Sequence, residues 1–488
     1  MFVSNEAHHE KQVNKSKGNN LIMNERELYS PPASAWFGLG VLVATMVFGF
    51  INTQMIVLLI EQLRHSFSLS DASLGTLQGV GISLCGGVAA IPLGWLADRF
   101  DRRVVLATCV LVWSAATACC GLAGSFGALF VGVAILGAAQ GILMPATYGL
   151  IPAMFSPARR ALANSIYGVC AALGVGAGIA IGGGIVHIAE FIRSSFPAQL
   201  AQYDLWRISF ALSAVPGPIL ALLILLMRLN LTDAAGASEE EHEVERCTLA
   251  SYLRRHRVAV IGFFSALGFS NLAIAAVMNW LPAVIMRRFG VQPEQVGGTF
   301  GVVFSLSSVG AFLISGLVVP KLRGLGRYFA PAKVCTAVLF ASAVLTLGML
   351  FAATITYIYV ALALQLVATM IALMIFPTIL QGISPSHLRS RVAAVCAFIV
   401  LLISAFSPAL VGLVSDFLGS TSNSLLQGVV AVAAVAYAIS ALSSKWSERA
   451  IAVVTEEVLA DQELDQSLRM TRDQDRTEGA HEAWSVPK

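Results

Sequence analysis

Twelve apolar stretches constrain this chain more than any other feature of its sequence. A helix needs roughly 20 mainly apolar residues to cross a bilayer, and each stretch is about that long. Charged residues make up only 12% of the chain, about half the share of a typical soluble domain, so the chain cannot cover its surface with water-facing groups. The sequence therefore predicts an all-α membrane protein with spans at 35–61, 72–98, 104–123, 127–152, 161–187, 208–229, 258–284, 296–320, 332–352, 355–380, 391–415 and 425–443.

The positions of Lys and Arg in the connecting loops predict which side of the membrane each loop occupies. One side carries Arg64, Arg193, Arg207, Arg287 and Arg288. The other side carries many more, namely Arg99, Arg102, Arg103, Arg159, Arg160, Arg254, Arg255, Arg257, Lys321, Arg323, Arg327, Lys333, Arg389 and Arg391. Because short cytoplasmic loops collect basic residues, the second side is predicted to be cytoplasmic. Both chain termini are then cytoplasmic too.

A polar segment with the run Glu239-Glu240-Glu241 divides the spans into two sets of six. The second set faintly repeats the first, since Ser156-Pro157 is echoed by Ser384-Pro385. Such repeats favour two bundles that rock about a central site. We predict a disordered cytoplasmic tail, an N-terminal six-helix bundle, a cytoplasmic linker, a C-terminal six-helix bundle and a cytoplasmic tail, at residues 1–34, 35–229, 230–257, 258–444 and 445–488.

The loop between the second and third spans is the most distinctive motif of the chain. It reads Gly94-Trp95-Leu96-Ala97-Asp98-Arg99-Phe100-Asp101-Arg102-Arg103. This pattern resembles the signature loop of the major facilitator superfamily of transporters, with Asp101 where that family usually has glycine. The resemblance implies a latch that holds the bundles together on the cytoplasmic side, formed by Gly94, Asp98, Arg99, Arg102 and Arg103. It also implies that Asp98 faces Arg389 and Arg391. The alternative is a loop that only anchors the topology.

Further motifs of the first half resemble the bacterial Spinster-like branch of that superfamily, namely Leu69-Ser70-Asp71, Pro145 and Trp206-Arg207. Many members of the branch have Asp-Arg in the first span and an Arg and a Glu in the fourth. This chain has uncharged residues at those places, Asn52-Thr53, Val133 and Gln140. The charges that the branch associates with proton coupling are therefore replaced, and the resemblance does not carry proton symport over.

The interiors of the spans lack Asp, Glu, Lys and Arg, which are the usual proton relays and ion partners of transporters. We therefore predict a substrate cavity lined by uncharged polar groups. The candidates are Asn52, Gln54, Gln140, Tyr148, Asn164, Tyr167, Asn271, Asn279, Trp280 and Gln365. Each of them has an alternative role as a polar bond between helices. The resemblance favours Asn52, Gln140 and Asn279, because the first, fourth and seventh helices line the cavity in the superfamily.

A stripe of glycines in the fifth span, Gly174, Gly178 and Gly182, has a spacing of four residues. It partly resembles the glycine motif of antiporters in the superfamily. Small residues at this spacing also let two helices approach closely. We favour the packing role and infer no direction of transport from the stripe.

The uncharged lining restricts the substrate, because an unpaired ion is costly in a low-dielectric cavity. We therefore predict secondary active or facilitative transport of a small, weakly polar or amphipathic organic molecule by alternating access. The alternatives are a lysolipid or lipid transporter and a transporter-like sensor that binds without transporting. Ion coupling would have to use acids or histidines at the span margins, most of which we expect in water: Glu61, Asp98, His187, Glu190, Asp204 and Asp416.

Other classes of function lack a sequence signal. The eight histidines are scattered, and no group of His, Asp, Glu or Cys has catalytic or metal-binding spacing. We therefore expect no enzyme, cofactor or metal. The net charge of +3 is too small to argue for a nucleic acid partner. The expected partners are a small-molecule substrate and the lipid bilayer, and the expected state is a monomer in the bacterial inner membrane.

Overall fold

A computed structural model describes residues 32–200, 202–227, 249–323, 330–385, 388–419 and 422–483. The predicted N-terminal tail up to residue 31, and the predicted linker from 230 to 248, lie outside these residues. Within the described residues, twelve helices are long and apolar enough to cross a membrane. The predicted number of spans and the all-α class are therefore confirmed.

Several spans contain a break or a change of helix type. Spans 1 to 6 consist of Pro32–Leu58; Asp71–Thr76, Leu77–Leu84 and Cys85–Arg99; Arg102–Gly121; Phe126–Gln140 and Leu143–Met154; Pro157–Ser195; and Leu205–Ala214 and Pro216–Leu225. Spans 7 to 12 consist of Arg257–Phe289; Pro293–Arg323; Ala330–Gly348 and Met349–Phe351; Ile355–Gly382; Arg389–Ala405 and Ser407–Phe417; and Ser422–Ala483. Short helices Ile60–Phe67, Pro197–Leu200 and Leu249–Arg255 lie between spans.

The ends of the spans follow from local sequence signals. At three starts a hydroxyl oxygen accepts a bond from a backbone N–H of the first turn, at Ser70, Ser125 and Thr354. Such caps satisfy N–H groups that have no partner within the helix. Spans 7 and 11 end at Gly290 and Gly419, where φ is +65° and +106°. Glycine adopts this left-handed conformation without steric cost.

The described residues fall into two compact units. The first unit contains spans 1 to 6 together with residues 279–305 and 408–425, and the second contains most of the remaining spans. One end of span 7, one end of span 8 and one end of span 11 therefore pack with the first six spans. The sequence repeat predicts two bundles of six spans each, and that division stays a prediction. The contacts add that the ends of three later spans pack with spans 1 to 6.

The glycine stripe of span 5 packs against span 1 inside the first unit. A Cβ atom on Gly174 or Gly178 would lie 2.9 Å from an atom of Phe50, and one on Gly182 would lie 3.3 Å from Leu58. Real Cβ atoms do not make contacts below about 3 Å. A larger residue therefore fits neither of the first two positions unless Phe50 shifts, and the predicted packing role of the stripe is confirmed.

Span 2 has an unusual middle, because Leu77–Leu84 is a π-helix. There the backbone of span 4 approaches so closely that a Cβ on Gly137 would lie 2.5 Å from the Ile82 carbonyl oxygen. The Gln78 side chain is buried in this segment, and neither end of its amide has a hydrogen bond partner among the described residues. Single π-helical turns occur frequently at functional sites.

The last span continues well past its predicted end at residue 443, as one helix from Ser422 to Ala483. In the second unit the side chains of Ile451, Val454 and Val458 are buried. Their spacing of three and four residues puts them on one face of the helix. The first part of the predicted tail is thus the continuation of span 12.

Candidate functional site

The Gly94 loop, residues 94–103, is held by two arginines that bind different parts of the first unit. Arg102 donates to Asp98 at 3.0 Å and to the Gly149 carbonyl of span 4 at 3.0 Å. The Arg102 guanidinium occupies the space that a side chain at position 149 would need, since a Cβ there would lie 2.6 Å from Nε. Asp98 is 72% exposed. Its predicted approach to Arg389 and Arg391 stays a prediction.

Asp101 and Arg103 form the second part of the loop. The Asp101 carboxylate accepts from the backbone N–H of Arg103 at 2.9 Å, which caps span 3, and from the Arg103 guanidinium at 2.7 Å. These bonds hold the pKa of Asp101 below its usual value. Arg103 also donates to the Met227 carbonyl at 2.7 Å. Arg103 therefore ties the loop to the end of span 6, and the Asp101 carboxylate holds the Arg103 guanidinium in place.

The other two latch candidates, Arg99 and Gly94, lie beside ring side chains. The Arg99 guanidinium lies 4.7 Å from the centre of the Trp95 ring, within the range of a cation–π contact. A Cβ on Gly94 would make ordinary contact with Pro145 at 3.5 Å, so this position does not require glycine for space. The polar bonds of the loop therefore come from its other members, and Gly94 and Arg99 add packing.

Three of the substrate candidates in the first unit bond one helix to another. Asn52 is fully buried and donates to the Phe48 carbonyl, while its own oxygen accepts from Thr117 of span 3. The half-buried Gln140 accepts from Thr53 and donates to a carbonyl of span 1. Tyr167 is buried, and its hydroxyl accepts from Thr147.

Three further candidates also have internal partners. The buried Trp280 indole donates to the Pro408 carbonyl at 3.0 Å. In the second unit, Gln365 is fully buried and bonds to Thr369 and Tyr437, while Asn271 donates to a carbonyl of its own helix. These contacts agree with the alternative role of polar bonds within and between helices.

The remaining four candidates differ in exposure. Gln54 is buried and Asn279 is half-buried. Tyr148 is 65% exposed, and Asn164 is also exposed. Tyr148 and Asn164 are therefore the most accessible members of the predicted lining.

A buried cluster of charges lies at the opposite end of the first six spans from the Gly94 loop. Arg287 of span 7 donates to Asp71 of span 2 through both terminal nitrogens, at 2.9 and 2.6 Å. Its Nε donates to Glu61 at 2.6 Å. The side chains of Asp71, Arg287 and Glu61 are 0%, 7% and 16% exposed. The two-pronged geometry is the one in which arginine and a carboxylate bind most strongly, and this contact is buried.

Residues from the short helix Ile60–Phe67 and from span 11 complete this group, which we call the Glu61 cluster: Glu61, Arg64, Asp71, Arg287, Ser415 and Asp416. Arg64 lies 3.6 Å from Asp71, and the Ser415 hydroxyl donates to Asp71 at 2.7 Å. The Asp416 carboxylate accepts the backbone N–H groups of Asp71 and Ala72, at 3.0 and 2.8 Å. Span 11 thus supplies an anionic cap to span 2, which the dipole of that helix favours.

Glycines bring the backbones together beside the cluster, at contacts we call the seam. A Cβ on Gly75 would lie 2.2 Å from the Pro408 carbonyl oxygen, and one on Gly412 would lie 2.2 Å from that of Asp71. Spans 5 and 8 cross in the same way, since a Cβ on Gly301 would lie 2.4 Å from the Gly176 oxygen. In the seam, spans 2 and 11 therefore meet by backbone contact beside the cluster.

A cavity of about 510 Å³ reaches the cluster and is lined by Glu61, Gln62, Arg64, His65, Met286, Arg287, Val291, Gln292 and Pro293. Burial raises the pKa of Glu61, and the nearby arginines lower it by a smaller amount. Glu61 is not among the margin groups that lie in water, since its side chain is only 16% exposed. Glu61 is buried because span 7 packs against the short helix Ile60–Phe67, where Arg287 contacts Glu61.

Sequence reasoning missed the cluster because its members are distant in the chain. Arg287 is 226 residues from Glu61, and Asp416 is 345 residues from Asp71. The usable signal was a concentration of charges at span ends on one side of the membrane. Gln78 was missed as well, since a single glutamine within a span is unremarkable.

Comparisons with known proteins agree with this architecture. The sequence profile of the Major Facilitator Superfamily matches residues 39–383. An MFS-type efflux pump of Mycolicibacterium smegmatis is 26% identical over 298 residues, which are 60% of this chain and 64% of that protein. Protein spinster of Drosophila melanogaster is 25% identical over 308 residues, or 60% of this chain and 47% of that protein. The chain therefore spans between about half and two thirds of the length of these relatives.

A solved structure has the same fold. It is the inward-facing, unoccupied form of a bacterial homolog of the human lysosomal transporter Spinster. The two chains align with a TM-score of 0.70 at 18% identity, over 88% of this chain and 99% of that one. At this identity the alignment supports the fold alone.

Proposed function

The chain belongs to the major facilitator superfamily of membrane transporters, and we propose that it carries a small, weakly polar or amphipathic organic molecule by alternating access. We further propose that it acts as a monomer in the bacterial inner membrane, with both termini in the cytoplasm. The proposal covers both facilitative and secondary active transport, and no bound cofactor takes part.

The observation that carries the proposal is the polar but uncharged interior of the spans. In the described residues, the charged side chains of the spans lie near span ends or beyond residue 443 of the last helix. The interior groups are amides and hydroxyls instead, such as Asn52, Thr117 and Gln140. A permanently charged substrate would find no opposite charge there, and an unpaired ion in a low-dielectric site is costly.

Gln78 supports a substrate that forms hydrogen bonds. Burying an amide without partners costs roughly 1–3 kcal/mol for each unsatisfied group. A substrate with a hydroxyl or amide group would satisfy the donor and the acceptor of Gln78. We therefore add Gln78 to the proposed lining, beside Gln140, Tyr148 and Asn164 of the same unit.

The proposed latch is the Gly94 loop. Arg102 joins Asp98 to the carbonyl of Gly149, so a movement of span 4 relative to span 2 changes the environment of Asp98. In our proposal Asp98 alternately engages and releases the second set of six spans through this loop. Gly94 and Arg99 position the loop, and Arg103 fixes its other end.

A mass-spectrometric transport assay tests the proposal. Cells expressing the native protein are fed a mixture of an uncharged aromatic amide, glucose, glucuronate and lysophosphatidylcholine, and compounds are measured in cells and medium. We expect the native protein to change the distribution of the amide or the lysolipid, and Gln78→Leu and Tyr148→Ala to reduce that change. Asp98→Asn, at matched membrane expression, is expected to slow transport without changing which compound moves.

The outcomes separate the alternatives. Movement of lysophosphatidylcholine alone identifies a lysolipid transporter, and movement of glucuronate alone contradicts the uncharged site. Binding without movement, seen as a raised melting temperature of the purified protein, identifies a transporter-like sensor. No movement and no binding of any compound, with the native protein inserted, counts against the proposed substrate class.

A further inference from the structure

We propose that the Glu61 cluster is a proton-binding site that controls the seam, so that a proton on Glu61 favours the closed seam and its loss favours opening. The proposal rests on the proposed alternating access, since it assumes that the seam opens. It adds a chemical signal, the pH on the side of the membrane opposite the Gly94 loop. The superfamily resemblance places proton groups elsewhere, in the first and fourth spans, where this chain is uncharged.

Geometry makes Glu61 the titratable member of the cluster. Asp71 holds two bonds from Arg287, one from Ser415 and a contact with Arg64, so its charge is well compensated. Glu61 accepts one short bond, from Nε of Arg287. Of these two acids only Glu61 lines the open cavity, which gives water and protons a path to it.

The charges around Glu61 favour a proton in the closed state. Glu61, Asp71 and Asp416 carry three negative charges when every acid is ionised. Arg64 and Arg287 carry two positive charges, so the closed cluster then buries an excess negative charge. A proton on Glu61 removes that excess and leaves the Arg287–Asp71 pair intact, which suits a poorly solvated site.

Spans 7 and 8 bring further charged groups near the cavity, and these do not reverse the balance. His65 of the short helix lines the same cavity. The Arg288 guanidinium lies 5.7 Å from the centre of the Phe289 ring. Glu294, in the first turn of span 8, adds a negative charge. Arg288 and Glu294 carry opposite charges and together add no net charge. His65 is exposed and lies outside the buried cluster, so the excess within that cluster stays negative.

Two exposed ion pairs at the ends of spans 5 and 6 compensate themselves. Glu190 pairs with Arg193 at 3.8 Å, and the Glu190 side chain is 55% exposed. Asp204 accepts a bond from Ser66 of the short helix and lies 3.8 Å from Arg207. Each pair holds one acid and one base, so neither adds net charge to the surroundings of Glu61.

The sign of the effect follows from linkage. Burial in the closed state raises the pKa of Glu61 above its ordinary value of 4.5. In the proposed opening, the end of span 7 that carries Arg287 moves away together with span 11, so that Glu61 is exposed to water. The closed state therefore binds the proton more tightly, and lowering the pH through this window stabilises it. A gap of one pH unit between the two pKa values corresponds to about a tenfold change in the open population.

Hydrogen exchange measures the seam directly, because the amides of Asp71 and Ala72 donate to Asp416 across it. The native full-length protein is studied in lipid nanodiscs, without substrate, at about pH 5 and about pH 8. The exchange rate of the peptide that contains these amides is divided by the exchange rate of the Tyr357 amide. That amide donates to the uncharged hydroxyl of Thr354. This ratio removes the intrinsic effect of pH on exchange.

We expect the exchange ratio of the native protein to rise severalfold, up to about tenfold, from the lower to the higher pH. Glu61→Gln, which mimics the protonated acid, is expected to give the low ratio at both values. Arg64→Gln removes a positive charge and should move the transition to higher pH, which tests the proposal even if Glu61→Gln fails to fold. Glu190→Gln, at an exposed acid, should behave like the native protein.

Gly412→Val shows whether the measurement reports the seam, since its side chain would collide with the Asp71 carbonyl. It should give a high ratio at both pH values. The proposal is overturned if the exchange ratio of Glu61→Gln depends on pH as that of the native protein does. It is also overturned if the native ratio does not change with pH while Gly412→Val gives a high ratio. Because no substrate is present, these results do not depend on the proposed substrate class, and a failed transport assay leaves them unchanged.

Discussion

The Gly94 loop and the Glu61 cluster carry the same kinds of charged side chain at opposite ends of the first six spans, yet they differ in burial and in connectivity. Asp98 is 72% exposed and bonds to Arg102 four residues away. Asp71 is fully buried and bonds to Arg287, 216 residues away. The first arrangement forms and breaks at little cost, whereas the second joins distant helices through groups that water does not reach.

This difference explains what each region can do. A pair in water contributes about 0–1 kcal/mol, so the Gly94 loop suits a contact that must release in every cycle of the proposed alternating access. Removing one partner of a buried pair costs about 3–5 kcal/mol, because the other charge is left uncompensated. The Glu61 cluster therefore suits a closure that opens only when its charge balance changes.

The largest expected effect is the loss of Arg287. Arg287→Met leaves Asp71 and Glu61 buried without their main partner, and we expect about 3–5 kcal/mol of lost stability. Arg102→Met, at the opposite end of the unit, removes an exposed pair worth about 0–1 kcal/mol and a hydrogen bond to the Gly149 carbonyl worth about 0.5–1.5 kcal/mol. We therefore expect a smaller loss, of about 1–2 kcal/mol. The free energy of unfolding in detergent micelles compares the two. Equal losses would show that burial does not distinguish the regions.

A smaller effect is expected from filling the glycine contacts. Gly75→Val drives a side chain into the backbone of Pro408, which cannot move aside, and overpacking of this kind costs about 1–3 kcal/mol. The atoms nearest to a Cβ on Gly149 belong to the flexible Arg102 side chain, so we expect a smaller loss there. Melting temperatures in detergent provide the measurement.

Gly40→Val is the matched control for both substitutions, since nothing lies within 4 Å of a Cβ at that position. Its melting temperature should stay close to that of the native protein. A loss at Gly149 as large as that at Gly75 would mean that the two ends are packed with the same rigidity.

The sequence predicted what depends on local pattern. The twelve spans follow from runs of apolar residues, and the Gly94 loop follows from a motif within ten residues. Close packing at Gly174 and Gly178 follows from a spacing of four. The Glu61 cluster has no such signal, because Glu61, Arg287 and Asp416 meet only after the chain has folded.

The same limit applies to the substrate candidates. The sequence shows which spans contain amides and hydroxyls. The hydrogen bond partners of these groups depend on the rotation of each helix, which the sequence does not show. The structure gives Asn52 and Gln365 partners on neighbouring helices, and it leaves Tyr148 exposed. The π-helix around Gln78 depends on close contact with span 4, which its own sequence does not specify.

A still smaller effect is expected from Asp98→Asn on stability. The exposed pair with Arg102 contributes at most about 1 kcal/mol at low salt. At about 1 M salt the Debye length falls to about 3 Å, so the difference between native and variant should disappear. Unfolding measured at low and high salt checks this. A salt-independent loss would show that Asp98 has a buried role beyond the pair.

The smallest expected effect concerns the short helix Leu249–Arg255 of the second unit. The Tyr252 hydroxyl donates to the Ile383 carbonyl, and the Tyr252 ring lies 4.7 Å from that of His256. His256 in turn lies 3.8 Å from Glu457. Burial lowers the pKa of His256, and Glu457 opposes that shift only in part.

A lowered pKa means that the docked helix favours neutral His256. Docking is then fully stable above the ordinary histidine pKa of about 6.5 and weakens as the pH falls from there toward the docked value. We expect hydrogen exchange in this helix to rise slightly at low pH, and His256→Gln to abolish the change. The Glu61 cluster is expected to loosen in the opposite direction, as the pH rises, so one titration of the native protein separates the two sites. If both loosen together, a general loss of stability explains the pH response better than either local group.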